Sequence, residues 1–289
     1  MDTVSEQDIR DFWNGQPCGT NIVPPHDLTD DASFLRYLDE YDSFRYDREG
    51  HILTMFDRFD LTGKRVLEIG LGQGADSERL IRRGAIWSGI DLTPASIEIV
   101  GRRLRLKQLE FDRLELGSAV HMPFADNSFD YVYSFGVLHH VPNIAGAQAE
   151  IHRVLNPGGQ ALIMMYAKHS INYQLAIRVV RRAGLIAAMV ASKFGMKLGA
   201  VTERHVMLAK QQGLVKYLKF PNFLNRNTDG PDNAFSRVYD KRSLAEDFPS
   251  FRLRWAEQDF LHAPPLPVAK MPAKFKRLGW HLWALLDPK

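Results

Sequence analysis

The chain has one cysteine, Cys18, among 289 residues, so no internal disulfide can form and no cysteine-ligated metal centre is available. That scarcity fits the reducing cytoplasm, and no metal is expected. No run approaches the roughly twenty apolar residues that a bilayer-spanning helix requires, and Met1–Arg10 is polar and acidic, unlike a secretory leader. Internal repeats and low-complexity tracts are missing as well. Proline is absent between Pro157 and Pro221, which leaves room for long helices there. Two segments are poor in charge of one sign. Met1–Asp60 has no lysine, and fourteen Asp and Glu against five Arg leave it at −9, whereas Tyr166–Arg226 has Glu203 alone against eleven Lys and Arg, leaving +10. The net charge of +3 conceals this polarity. The basic residues follow a helical pattern and are not interleaved with stacking aromatics, so nucleic acid is not the expected partner. Either the two segments attract each other as halves of a lid, or the basic one meets an acidic substrate, a carrier protein or an anionic membrane.

What is present describes a globular protein, 45% hydrophobic and 25% charged, of a length that permits one elaborated domain. The stretch Val66–Ala75, VLEIGLGQGA, is a short apolar run followed by three glycines, which reads as a buried parallel strand and a turn whose backbone presses against a ligand. About twenty residues on, Ala85–Ile90 ends in Asp91, a carboxylate suited to both hydroxyls of a ribose. GLGQGA also satisfies the dinucleotide pattern, so NAD is a rival ligand on this evidence. The alternation continues with helices at Asp76–Arg83 and Pro94–Leu106 and strands at Arg65–Gly70, Leu114–Leu116, Phe129–Ser134 and Gln160–Tyr166, with a helix at Ile144–Leu155 before the last, predicting a parallel sheet. Thr93 is placed to cap the helix that Pro94 begins.

Later residues separate the rivals. Leu116–Asn143 (LGSAVHMPFADNSFDYVYSFGVLHHVPN) and Glu150–Tyr166 (EIHRVLNPGGQALIMMY) follow in order. Together with the glycine loop and GIDLTP they resemble the class I S-adenosylmethionine-dependent methyltransferases over Leu61–Tyr166. The resemblance implies a Rossmann-like α/β fold with a seven-stranded, mostly parallel sheet, an antiparallel last strand between the fifth and sixth, and S-adenosyl-L-methionine as cofactor. It further implies that Glu68, Gly70, Gly72, Gly74, Asp91, Leu92, Ser118, Ala119, Ser134 and Phe135 surround that cofactor. Ser118 departs from the family, many of whose members carry there an aspartate that accepts from the adenine amino group. Ser-Phe-Gly-Val after the fourth strand departs from the Asp/Asn-Pro-Pro-aromatic tetrapeptide of adenine and glutamine N-methyltransferases, so DNA bases and protein amides are poor acceptors. His139 and His140 follow that strand, and each is read both as a general base and as a packing residue.

The ends differ from the core. Residues 1–60 read as a helical amino-terminal arm or lid, 61–166 as the cofactor-binding core, 167–242 as an inserted helical cap and loop, and 243–289 as the helix and strands completing the sheet. FWNGQPCG, FRYDREGHI and NTDGPDNAFSRVYDKRSL resemble the arm and post-insert loop of a bacterial, small-molecule branch of the family. Arg45, Tyr46, Asn233, Arg237 and Tyr239 are the candidates to close over substrate. In the cap, Ala176, Val180, Ala183, Ala187, Val190 and Phe194 form an apolar stripe expected to pack inward, with Arg178, Arg181 and Arg182 turned outward or toward the acidic arm. The expected function is methyl transfer to a small molecule on O, N or C. The alternatives are cyclisation or aminopropyl transfer from the same cofactor, and a non-catalytic module whose basic cap engages a membrane or partner.

Overall fold

The computed structural model describes residues 4–17, 19 and 28–289. Cys18 and most of the Pro17–Pro25 loop lie outside the described residues. At its centre is a seven-stranded sheet in the order β3-β2-β1-β4-β5-β7-β6. The strands are β1 (Arg65–Ile69), β2 (Ile86–Asp91), β3 (Arg113–Leu116), β4 (Phe129–Phe135), β5 (Leu155–Tyr166), β6 (Phe251–Asp259) and β7 (His281–Pro288). The first five run parallel, and β7 lies antiparallel between β5 and β6. This is the Rossmann-like arrangement expected of class I methyltransferases. Val66, Leu67, Ile69, Val132 and Ile163 are almost wholly buried because both sheet faces are covered, which explains apolar runs in place of alternation.

Three helices form the amino-terminal arm: α1 (Glu6–Gly15), α2 (Asp31–Arg48) and α3 (His51–Phe56). The sheet is flanked by α4 (Ala75–Arg82), α5 (Pro94–Leu106) and α6 (Ile144–Val154). Thr93 caps α5, accepting from Ser96 N–H, and Pro94 occupies its first turn, where a missing N–H breaks no helical bond. The acidic arm does not pair with the basic cap; no ion pair joins them among the described residues. Its carboxylates meet arginines and a lysine of the core helices instead: Asp31 with Arg102 at 2.7 Å, Asp39 with Lys107 at 2.9 Å, Asp57 with Arg83 at 2.8 Å, and Asp42 with the fully buried Arg103. Arg103 also holds Glu78 at 2.7 Å, so one guanidinium ties α2, α4 and α5 together. The reason is proximity: α2 packs directly on α5, whose sequence presents a basic row to it.

Beyond β5 the chain enters a π-helix over Asn172–Val180, which continues as α7 (Arg181–Lys193), followed by α8 (Ala200–Gln212), α9 (Leu214–Leu218) and α10 (Asn222–Asn225). Gly213, at φ 84°, separates α8 from α9 where the sequence suggests one helix over Thr202–Leu218. The apolar stripe is also displaced. Ala176, at the start of the stripe, is buried as expected, but beyond it the buried apolar positions are Ile177, Leu185 and Ala188, while Ala183, Ala187, Val190 and Phe194 face out. Each π turn holds more residues than an α turn, so a stripe read at 3.6 residues per turn loses phase across Asn172–Val180. The same rotation turns Arg181 and Arg182 inward. Finally α11 (Lys241–Asp247), whose Asp240 cap is reciprocated by Ser243, leads into β6.

Candidate active site

A cavity of about 610 Å³ opens at the carboxyl ends of β1, β2, β4 and β5. It is walled by the arm through Glu6, Ile9 and Trp13 of α1 and Tyr41, Phe44 and Arg45 of α2, and by the cap through Asn172, Arg181 and Asp229. One end is built from the two loops singled out in the sequence. Gly70 has φ 78°, and a Cβ there would lie 2.2 Å from Val137, so this turn excludes any side chain. Gly72 lines the cavity beside it, whereas Gly74 packs behind the loop against Val100 and is not part of the wall.

Asp91 reaches the wall with its carboxylate already engaged. Leu71 N–H donates to one oxygen at 2.7 Å, and the N–H and hydroxyl of Thr93 donate to the other at 2.8 and 2.7 Å. Burial pushes its pKa up against the pull of these bonds. Thus Asp91 joins the two loops and presents its carboxylate on the cavity wall. Glu68 accepts from Trp87 Nε1 at 2.8 Å and lies almost wholly buried; burial raises it to about 8, so it is largely protonated near neutrality. Beside it Asp76 accepts from Arg45 at 2.6 Å, Tyr46 at 2.9 Å and Tyr133 at 2.8 Å. Leu92, Ala119 and Phe135 line the same end.

At the other end His140 Nδ1 is 2.7 Å from the Phe235 carbonyl, which only an N–H can satisfy, so the neutral ring carries its lone pair on Nε2. That nitrogen lies 3.3 Å from Asp229, whose other oxygen accepts from Tyr166 at 2.6 Å. Arg181 donates to the carbonyls of Pro264, at 2.9 Å, and Asn227, and to Asn172 at 3.1 Å. All three acceptors are neutral, and burial lowers its pKa to about 10. Trp13, Phe260 and Trp280 supply aromatic wall.

Several expected residues stand elsewhere. His139 is fully buried behind the wall, its ring 3.8 Å from that of Tyr166 and neither nitrogen hydrogen-bonded; burial holds it neutral, well below its ordinary pKa. Ser134 is buried and donates to the Ile69 carbonyl at 3.1 Å. Tyr46 is held off the cavity by its bond to Asp76. Asn233 donates to Thr228 and Ser236, Arg237 to the Pro142 carbonyl, and Tyr239 to Asp247, so these three brace the loop instead of closing over substrate. Ser118 is not in the wall; its hydroxyl donates to Glu6, which is. The sequence reading passed over Glu6, Asp76, Asp229 and Arg181 as site residues. Only Asp229 stood in a stretch already marked by its density of polar residues.

Residues 67–163 match the Methyltransferase domain family. The chain is 40% identical over 102 residues to a phthiotriol/phenolphthiotriol dimycocerosates methyltransferase of Mycobacterium leprae, covering 35% of this chain and 37% of that protein. It is 34% identical over 113 residues to Methyltransferase GfsG of Streptomyces halstedii, covering 38% and 40%. The matches thus span well under half of these relatives. Geranyl diphosphate C-methyltransferase from Streptomyces coelicolor, solved with S-adenosyl-L-homocysteine, shares the fold at a TM-score of 0.53 with 13% identity over 98% of both chains. Residues 67–163 are thus similar to the methyltransferase domain, and the chain as a whole shares the fold of a methyltransferase solved with S-adenosyl-L-homocysteine.

Proposed function

We propose that this protein, in the cytoplasm, transfers the methyl group of S-adenosylmethionine to an oxygen, nitrogen or carbon of a small-molecule acceptor. The observation that carries the reading is one chamber in which the Gly70 loop, Glu68 and Asp91 adjoin His140, Asp229 and Arg181. Bound S-adenosylmethionine supplies a methyl carbon on a sulfonium, already activated for in-line displacement. The residues at the loop end fit that group: a cradle that no Cβ could enter, the Asp91 carboxylate on the wall at the end of β2, and a buried Glu68 that an ammonium would ionise. Glu6, brought in by α1, replaces the acid absent at position 118 as acceptor for the adenine amino group. Leu92 and Ala119 flank the base, and Phe135 borders the acceptor.

At the acceptor end, His140 Nε2 takes the proton of an O–H or N–H nucleophile; Nδ1 bonded to the Phe235 carbonyl holds the ring, and Asp229, 3.3 Å from Nε2, stands beside the resulting cation. Arg181 suits an acceptor bearing an anionic group, since its own partners leave the charge uncompensated. The arm and cap exclude water and hold the acceptor in line. The test is incubation with methyl-labelled S-adenosylmethionine and a small-molecule extract, read by mass spectrometry. A labelled product with S-adenosylhomocysteine formed in equal amount is expected. Micromolar NAD binding, or cofactor consumption without methylated product, would overturn the reading.

A further inference from the structure

The cap that turns Arg181 inward presents an unusual surface outward. Nine of the thirteen large apolar side chains that stand exposed among the described residues fall within residues 175–215. They include Val179, Ile186 and Val190 on the outer face of the helix that ends in α7, Val201 and Met207 on α8, and Phe194 in the loop between them. That loop reads Lys193-Phe194-Gly195-Met196-Lys197, with Phe194 80% and Met196 63% exposed between two exposed lysines. Arg178, Lys193, Lys197, Lys210, Lys216 and Lys219 are all exposed. Among the described residues, the one ion pair made by residues 170–226 is Arg204–Asp232, so none of these six cations is neutralised.

We propose that this face docks on an anionic lipid bilayer, with Phe194 and Met196 entering the interface and the cations lying among the headgroups. Three features favour a bilayer over other occupants. The apolar side chains project from helix faces and a loop tip, and a fluid interface accepts such projections without a matching pocket. The positive charge is spread along the segment with a single acid, which suits the diffuse field of anionic headgroups better than pairwise docking. A second copy of the chain would bring two segments of net +10 together, and like charge opposes that contact. Asn172 and Arg181 line the cavity from the same helix, so docking brings the acceptor end of the chamber to the lipid surface. That last consequence rests on the proposed methyl transfer; the docking itself does not.

The experiment is sedimentation of the full chain with vesicles of phosphatidylcholine alone and of phosphatidylcholine mixed with phosphatidylglycerol, without cofactor. Binding to the mixed vesicles alone is expected, weakening as salt shortens the screening length toward about 3 Å at 1 M. Phe194→Glu with Met196→Glu should weaken it by about tenfold or more, as should Lys193→Glu with Lys197→Glu, while S-adenosylhomocysteine affinity is unchanged. These side chains are exposed, so the retained affinity also reports that the variants fold. Absence of binding to the mixed vesicles, equal binding by the variants, or a dimer in solution that Phe194→Glu dissolves would overturn the proposal. Vesicle binding without methyl transfer would leave it standing and refute the enzymatic reading alone.

Discussion

Glu68→Gln offers a test in which stability and ligand binding should move in opposite directions. The wild-type carboxyl titrates at about 8 in the folded chain against an ordinary 4.5, because burial disfavours its charge. An acid with a raised folded pKa holds its proton in the native state while the unfolded chain releases it, so stability falls as pH rises from 4.5 through 8. Integrating between pH 5 and pH 9 gives a loss of about 4 kcal/mol, an upper figure because local relaxation and water entry would reduce it. Glutamine does not titrate and can still accept from Trp87 Nε1. The variant should therefore gain on the wild type progressively with pH, by up to about 4 kcal/mol at pH 9, on the order of 10 °C in melting temperature. His139 and His281, held neutral by burial, contribute the opposite slope below about pH 6.5, but this cancels in the comparison. Binding should change the other way. If Glu68 ionises against the cofactor's ammonium, its loss costs about 1.5–3 kcal/mol, roughly ten- to a hundredfold in affinity. Wild-type affinity should rise with pH toward 8, and that rise should vanish in the variant. Thermal unfolding and calorimetric titration with S-adenosylhomocysteine across pH 5 to 9 make both measurements. Parallel stability curves would refute the buried-acid argument, and unchanged affinity with an unchanged pH profile would refute the contact.

Asp91→Ala removes the acceptor shared by Leu71 and Thr93 as well as the proposed ribose contact, so affinity for S-adenosylhomocysteine should fall about tenfold or more; titration showing no change would dismiss the role. His139→Phe should keep turnover within severalfold, because neither ring nitrogen is bonded, whereas His140→Phe should lower turnover on a protonated acceptor by about 10²-fold or more with cofactor affinity retained. Equal losses in the two would mean that both act through packing. Arg181→Met, close in volume, should raise KM for an anionic acceptor about tenfold or more with little effect on a neutral analogue, measured by labelled-methyl transfer; the same KM for both would remove the anion-binding role.

Much of the core was legible from local chemistry. Thr93-Pro94 marked the start of α5, the apolar run Val66–Ile69 implied a strand covered on both faces, and Phe129–Ser134 read as a further strand. Gly70 could be placed because its turn takes a φ of 78° that favours glycine, a local backbone restriction, whereas the approach of Val137 that also bars a Cβ there comes only with the fold. Even the antiparallel place of β7 followed from the order of motifs in the family. The registers that failed depended on something distant. A π-helix over Asn172–Val180 rotated the stripe, and no 3.6-residue periodicity carries that information.

The sequence by itself determined the elements of the core, the glycine turn and the acidic end of β2, since each follows from backbone sterics or short-range hydrogen bonding. Tertiary structure alone decided which charges meet. The arm's aspartates went to Arg83, Arg102, Arg103 and Lys107 rather than to the cap, Glu6 came to the position where Ser118 lacked a carboxylate, and Arg181 turned into the chamber. Net charge along a chain says that such groups attract, but an ion pair forms only where packing brings two side chains within about 4 Å, and packing is settled by the apolar faces around them.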